Sequence, residues 1–147
     1  MPEFQATRMS PYRIDILREG FCNSTDSEYS SAGCTISLVY GSSKILFDPG
    51  SPWDRELVKT LLKKHELSYD DINYVICSHG HVDHVGNLID FPMATIFVGT
   101  EIMRNGSIVE HQFSDDNPYI IDENVRFPSK LQPFLGTCHF YSWSHQQ

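Results

Sequence analysis

Residues 72–87, INYVICSHGHVDHVGN, join a short, nearly unbroken apolar run to three histidines and one aspartate held within six residues. Ile72, Tyr74, Val75 and Ile76 lack the polar alternation of a half-exposed strand, so they read as a strand buried on both faces. Such a strand lies inside a sheet that other layers cover, and the order of strand, hairpin, helix, strand, site and strand around it suits the α/β class. Whatever follows the strand is carried on a rigid mount. Here that is His79, His81, Asp83 and His84. Neutral imidazole nitrogen and carboxylate oxygen are the donors that Zn²⁺ and similar ions accept. Gly80 and Gly86 are expected to give the loop a tight backbone path. A lone loop histidine is most simply a solvated residue, whereas these four donors behind a buried strand predict a metal site. A bound ion lowers the pKa of its water from about 15.7 to about 7, and the pattern therefore reads as a nucleophile generator for hydrolysis.

The flanking sequence supplies the layers. Residues 12–17 read as a strand, and residues 20–33, GFCNSTDSEYSSAG, as an exposed polar loop. Residues 35–40 and 44–48 are two β-rich runs about the turn residues Gly41, Ser42 and Ser43, a hairpin whose second strand ends at Asp48 before Pro49 and Gly50. A carboxylate at a strand end suits either a site or a turn. Ser51, Pro52 and Asp54 are a helix start signal, and Trp53, Leu57, Val58, Leu61 and Leu62 form one apolar helical face ending near His65, which is read as structural. Residues 68–71 are a turn, residues 94–98 the next strand, and residues 101–104 a short helical turn. Residues 105–117, which include His111, are polar and turn-like; residues 119–121 and 124–127 are read as short strands. The expected organisation is one domain part over residues 1–127 and a divergent, aromatic tail over residues 128–147.

Charge and cysteine usage narrow the class. Lys and Arg number 11 against 19 Asp and Glu, a net charge of −8, so bulk electrostatics do not advertise a nucleic-acid surface. Four dispersed cysteines contain no C-x-x-C and are read as reduced, mostly packed thiols. No stretch has the apolar length of a signal peptide or a membrane span, and the expected location is intracellular, with no membrane partner.

HGHVDH at residues 79–84 resembles the H-x-H-x-D-H signature of the metallo-β-lactamase superfamily, and ILFDPG, with Asp48, resembles its first motif. The resemblance implies an αββα sandwich, of which this chain would hold the N-terminal half or an incomplete version. It assigns His79 and His81 to a first zinc ion, and Asp83 and His84 to a second, with Asp83 also catalytic and Asp48 an orienting carboxylate. The wider stretches ILFDPGSPWDRELV and INYVICSHGHVDHVGNLIDFP resemble the glyoxalase II branch. That likeness implies a zinc endoribonuclease acting on histone pre-mRNA near its 3′ end, a homodimer of cytosol and nucleus. A thioester hydrolase of glyoxalase II type and a catalytically inactive fragment acting by association are the alternatives. The superfamily also needs a third histidine, a bridging aspartate and a last histidine in a second half-fold. After ENVRF at residues 123–127 the chain instead reads PSKLQP, and neither His139 nor His145 lies in a family-like turn. A truncated or alternatively spliced product is the expectation.

Overall fold

The computed structural model describes residues 12–24 and 30–110. Strands β1 (Arg13–Arg18), β4 (Ile36–Tyr40), β5 (Ile45–Phe47), β6 (Tyr74–Cys77), β7 (Thr95–Val98), β8 (Glu101–Arg104) and β9 (Ser107–Val109) form one sheet. Their spatial order is β1-β4-β5-β6-β7-β8-β9. The β5–β6 and β6–β7 pairs are parallel and the others antiparallel. β2 (Phe21–Ser24) and β3 (Ser30–Gly33) make a separate two-stranded ladder. The apolar run is therefore the centre of the sheet, as its composition requires. Successive residues feed opposite faces: Leu38, Leu46 and Val75 join the cluster under the helix, while Val39, Ile45 and Ile76 join Phe97 and Ile102 on the other side.

Parallel neighbours need a crossover, and α1 (Arg55–Lys64) supplies the one between β5 and β6. Its entry is a 3-10 turn, Pro52–Asp54, in which Asp54 Oδ2 accepts from the Ser51 amide (2.8 Å) and hydroxyl (2.9 Å). Arg18 donates to Asp54 Oδ1 (2.7 Å) and to the Cys34 carbonyl (3.0 Å), tying β1 to the helix start. Burial alone would raise the Asp54 pKa; the Ser51 amide, Arg18 and the Ser51 hydroxyl overturn that and hold it below the ordinary carboxylate range. Val58 and Leu62 are the helix residues that are fully buried, about 1.5–3 kcal/mol of transfer free energy each. At the other end the His65 amide donates to the Leu62 carbonyl (2.9 Å), and its ring packs on Tyr40 with Nδ1 3.7 Å from Asp15. His65 is structural, as the sequence suggests.

Four local expectations are corrected. Residues 20–33 contain the β2–β3 ladder, held by main-chain pairing between mostly exposed residues. Trp53 is not on the buried helix face: it is 87% exposed, because the opening 3-10 turn shifts the helical phase. Residues 101–104 are strand β8, paired with β7 through a turn in which Gly99 has φ 59°. Residues 107–109 are strand β9, joined to β8 by Asn105 (φ 51°) and Gly106 (φ 73°), the positive-φ pair of a type I′ turn. Among the described residues no helix is long and apolar enough to cross a membrane. The expected strands at 119–121 and 124–127, the 128–147 tail and His111, His139 and His145 lie outside the described residues.

Candidate metal centre

Parallel strands β5 and β6 end side by side, with Phe47 opposite Ile76, so the residues just beyond them share one edge of the sheet. This is the edge where open α/β sheets collect ligands. Asp48 continues the ladder for one more bond, its amide donating to the Ile76 carbonyl (3.0 Å), and then turns away at φ 52°. That left-handed conformation is one Asp tolerates better than most residues. Beyond β6, His81 caps the single-turn helix α2 (Val82–Val85), and the His84 amide closes it on the His81 carbonyl (2.9 Å).

Asp48 reaches across to both loops. Oδ1 accepts from the Ser78 amide (2.7 Å), and Oδ2 lies 2.9 Å from the Ser78 hydroxyl and 2.9 Å from His84 Nδ1. The carboxylate thus bridges the Ser78 turn and the His84 ring. The Ser78 hydroxyl is also 3.0 Å from His79 Nδ1 and 3.1 Å from His84 Nδ1. The imidazoles of His79 and His84 lie 4.0 Å apart between centroids at a 49° tilt, and those of His79 and His81 meet edge-on at 4.4 Å. Burial first, then His84 and His81, hold His79 below the ordinary imidazole pKa against the opposite pull of Asp48 and Asp83. That favours the neutral ring a metal requires.

A second layer fixes the loops to each other. Asn87, 2% exposed, donates through Nδ2 to the carbonyls of Pro49 (2.8 Å) and Ser51 (2.7 Å), and the Gly86 amide donates to the Gly50 carbonyl (2.9 Å). A side chain at Gly86 would run into the Pro52 nitrogen and the Ser51 carbonyl carbon, so this glycine is required by close approach. Gly80 is not, since a Cβ there meets nothing within 4 Å. Two buried thiols lie behind the site, Cys34 donating to the Asp48 carbonyl (3.4 Å) and Cys77 to that of His84 (3.5 Å). Burial, with Asp48 and Cys34 adding to it, pushes Cys77 up to about 12; it is a packed thiol at neutral pH.

Residues 32–145 match the sequence profile of the metallo-beta-lactamase superfamily. The chain belongs to that superfamily. Metallo-beta-lactamase domain-containing protein 1 of Xenopus laevis is 35% identical over 112 residues, 76% of this chain and 48% of the relative. The protein of the same name from Homo sapiens is 35% identical over 95 residues, 63% of this chain and 36% of the relative. The matched stretch thus spans half or less of the curated relatives' length. A Thermotoga maritima crystal structure bearing the metallo-beta-lactamase name superposes with a TM-score of 0.52 at 24% identity, over 59% of this chain and 42% of that one, a likeness of fold.

Superfamily members are typically metal-binding, and the donors here can be tested against zinc. Asp83 Oδ2 and His84 Nε2 are 3.4 Å apart, close to the roughly 3.3 Å between two ligands of one tetrahedral ion at about 2.0–2.1 Å each. The donors fit zinc in kind and, for this pair, in spacing. Among the described residues no group of three or more His, Cys, Asp or Glu side chains is placed to share one ion. His79, His81, Asp83, His84 and Asp48 stand out in the sequence, whereas Ser78 and Asn87 do not. Ser78 is flagged only by lying next to His79, and nothing local flags Asn87.

Proposed function

We propose that this chain carries the metal-binding strand end of a metal-dependent hydrolase, with His79 and His81 toward one zinc ion and Asp83 and His84 toward another. The observation that carries this is the facing pair Asp83 Oδ2 and His84 Nε2, with the other nitrogen of His84 already committed to Asp48. When bound, zinc would supply hydroxide at neutral pH and stabilise developing negative charge. The residues themselves hold donors neutral and aimed: Asp48 accepts a hydrogen bond from His84 Nδ1, which leaves Nε2 toward Asp83. The proposed bond is a phosphodiester of RNA, in a homodimer of cytosol and nucleus; these finer points rest on the resemblance to metallo-beta-lactamase domain-containing protein 1. The remaining ligands would come from residues outside those described or from a second chain.

With zinc supplied, single-stranded RNA is expected to be cleaved and a glutathione thioester left intact. Asp83→Asn should lower RNA cleavage by about 100-fold or more, the scale of losing a group that positions or moves a proton. His65→Ala, changed at the far end of α1, should leave it alone. Equal losses in both variants, or thioester hydrolysis in place of RNA cleavage, would contradict the proposal. A second reading, a chain that acts only by association, is favoured by the missing third donor among the described residues. Its expected result is hydrolysis of neither substrate at full zinc loading.

A further inference from the structure

We propose that the Ser78 hydroxyl is a positioning group that transmits the orientation set by Asp48 to His79, so that one carboxylate fixes the same tautomer in two histidines. The inference rests on the proposed metal centre and adds to it a residue that the H-x-H-x-D-H pattern does not contain. Its basis is the direction in which protons have to run. A carboxylate only accepts, a serine hydroxyl donates once and accepts twice, and a neutral imidazole offers one donor and one acceptor.

Asp48 Oδ2 lies 2.9 Å from both Ser78 Oγ and His84 Nδ1. If the Ser78 proton pointed instead at His79 Nδ1, a hydroxyl lone pair would face the carboxylate oxygen at that distance, two acceptors in contact. The proton therefore goes to Asp48, and Ser78 Oγ is left to accept. Its neighbour at 3.0 Å is His79 Nδ1, which must then carry the hydrogen. The second lone pair faces His84 Nδ1 at 3.1 Å, whose hydrogen is shared with Asp48. For His84 the rival donation, Nε2 to Asp83 at 3.4 Å, would set bare Nδ1 against Asp48 at 2.9 Å, so the shorter contact decides. The Ser78 amide on Asp48 Oδ1 (2.7 Å) keeps the geometry from drifting. The consequence is that His79 and His84 both keep Nε2 as a lone pair, the state a ligand needs.

The test reads tautomers in the metal-free protein, by long-range ¹H–¹⁵N correlation of the histidine rings at about pH 8, above the usual imidazole range. In the unaltered chain His79 and His84 should both show a protonated Nδ1 and an unprotonated Nε2. Ser78→Ala should shift His79 to a mixture or to the Nε2–H form while His84 keeps its tautomer, and Ser78→Thr should restore His79. Zinc titration of the same samples should show affinity about tenfold or more lower in Ser78→Ala and recovered in Ser78→Thr. An Nε2–H tautomer at His79 in the unaltered chain overturns the relay, with no variant needed. An unmoved His79 tautomer in folded Ser78→Ala overturns it too. If the tautomers are as stated and zinc does not bind, the relay stands and the metal-centre reading falls.

Discussion

Asp48→Asn is expected to weaken zinc binding by about 10- to 100-fold while leaving the fold in place, the usual scale for losing a group that orients a metal ligand. Asparagine has the same shape and also tolerates the left-handed backbone found at φ 52°, so the turn out of β5 survives. What is lost is an acceptor-only partner. The amide can present its oxygen to the Ser78 amide, but its NH₂ then faces the Ser78 hydroxyl and His84 Nδ1, where both protons of the native network converge. His84 is no longer held with Nε2 toward Asp83. Zinc affinity by competition with a chromophoric chelator, together with an unchanged far-ultraviolet spectrum, checks this. An affinity equal to that of the unaltered protein would mean that Asp48 serves the turn alone.

The largest stability effect should come from Gly86→Ala. The added Cβ meets the backbone of Ser51 and Pro52, which the Asn87 amide and the Gly86 hydrogen bond hold against α2. A flexible side chain could swing aside, whereas a loop pinned by three hydrogen bonds cannot. The cost should reach about 3 kcal/mol, the upper part of the range for overpacking, and lower the melting temperature by about 10 °C. Gly80→Ala is the matched control: its Cβ enters open space and its φ is not in the left-handed region, so it should be neutral or stabilise by about 0.5 kcal/mol. Equal melting temperatures for the two variants would refute the docking of the histidine loop on the Asp48 loop.

The parts of the fold that can be read from sequence are those where local chemistry and global position agree. The unbroken apolar run of β6 could only be a central strand, and the Ser51–Asp54 cap announces the crossover helix. The 3-10 turn inside that cap is what displaced Trp53, since its phase differs from the helical one the spacing assumed. Strand β8, EIMR, is built of residues with good helix propensity, and pairing with β7 overrides that preference. The Asn105-Gly106 pair turns the β8–β9 hairpin, which reading residues 105–117 as a polar turn missed because the flanking residues carry little apolar alternation. In β2 and β3 the side chains, Phe21 apart, are polar or small, and main-chain pairing marks them as strands.

The candidate site divides along the same line. His79, His81, Asp83 and His84 are a dense local pattern, and Asp48 stands at a strand end before Pro-Gly, so all five are visible in the sequence. Ser78 and Asn87 act through partners more than 30 positions along the chain or close to it, Asp48 for the first and Pro49 and Ser51 for the second. Those contacts exist only once β5 and β6 lie side by side, and a serine or asparagine carries no periodic signal that would announce them.

Zinc content per chain, measured by mass spectrometry after equilibration with zinc and removal of the free ion, tests the metal centre most directly, with His81→Ala beside the unaltered protein. A metal centre at this strand end predicts at least one tightly held ion per chain in the unaltered protein and none in the variant. Equal content in the two, or none in either, would contradict it.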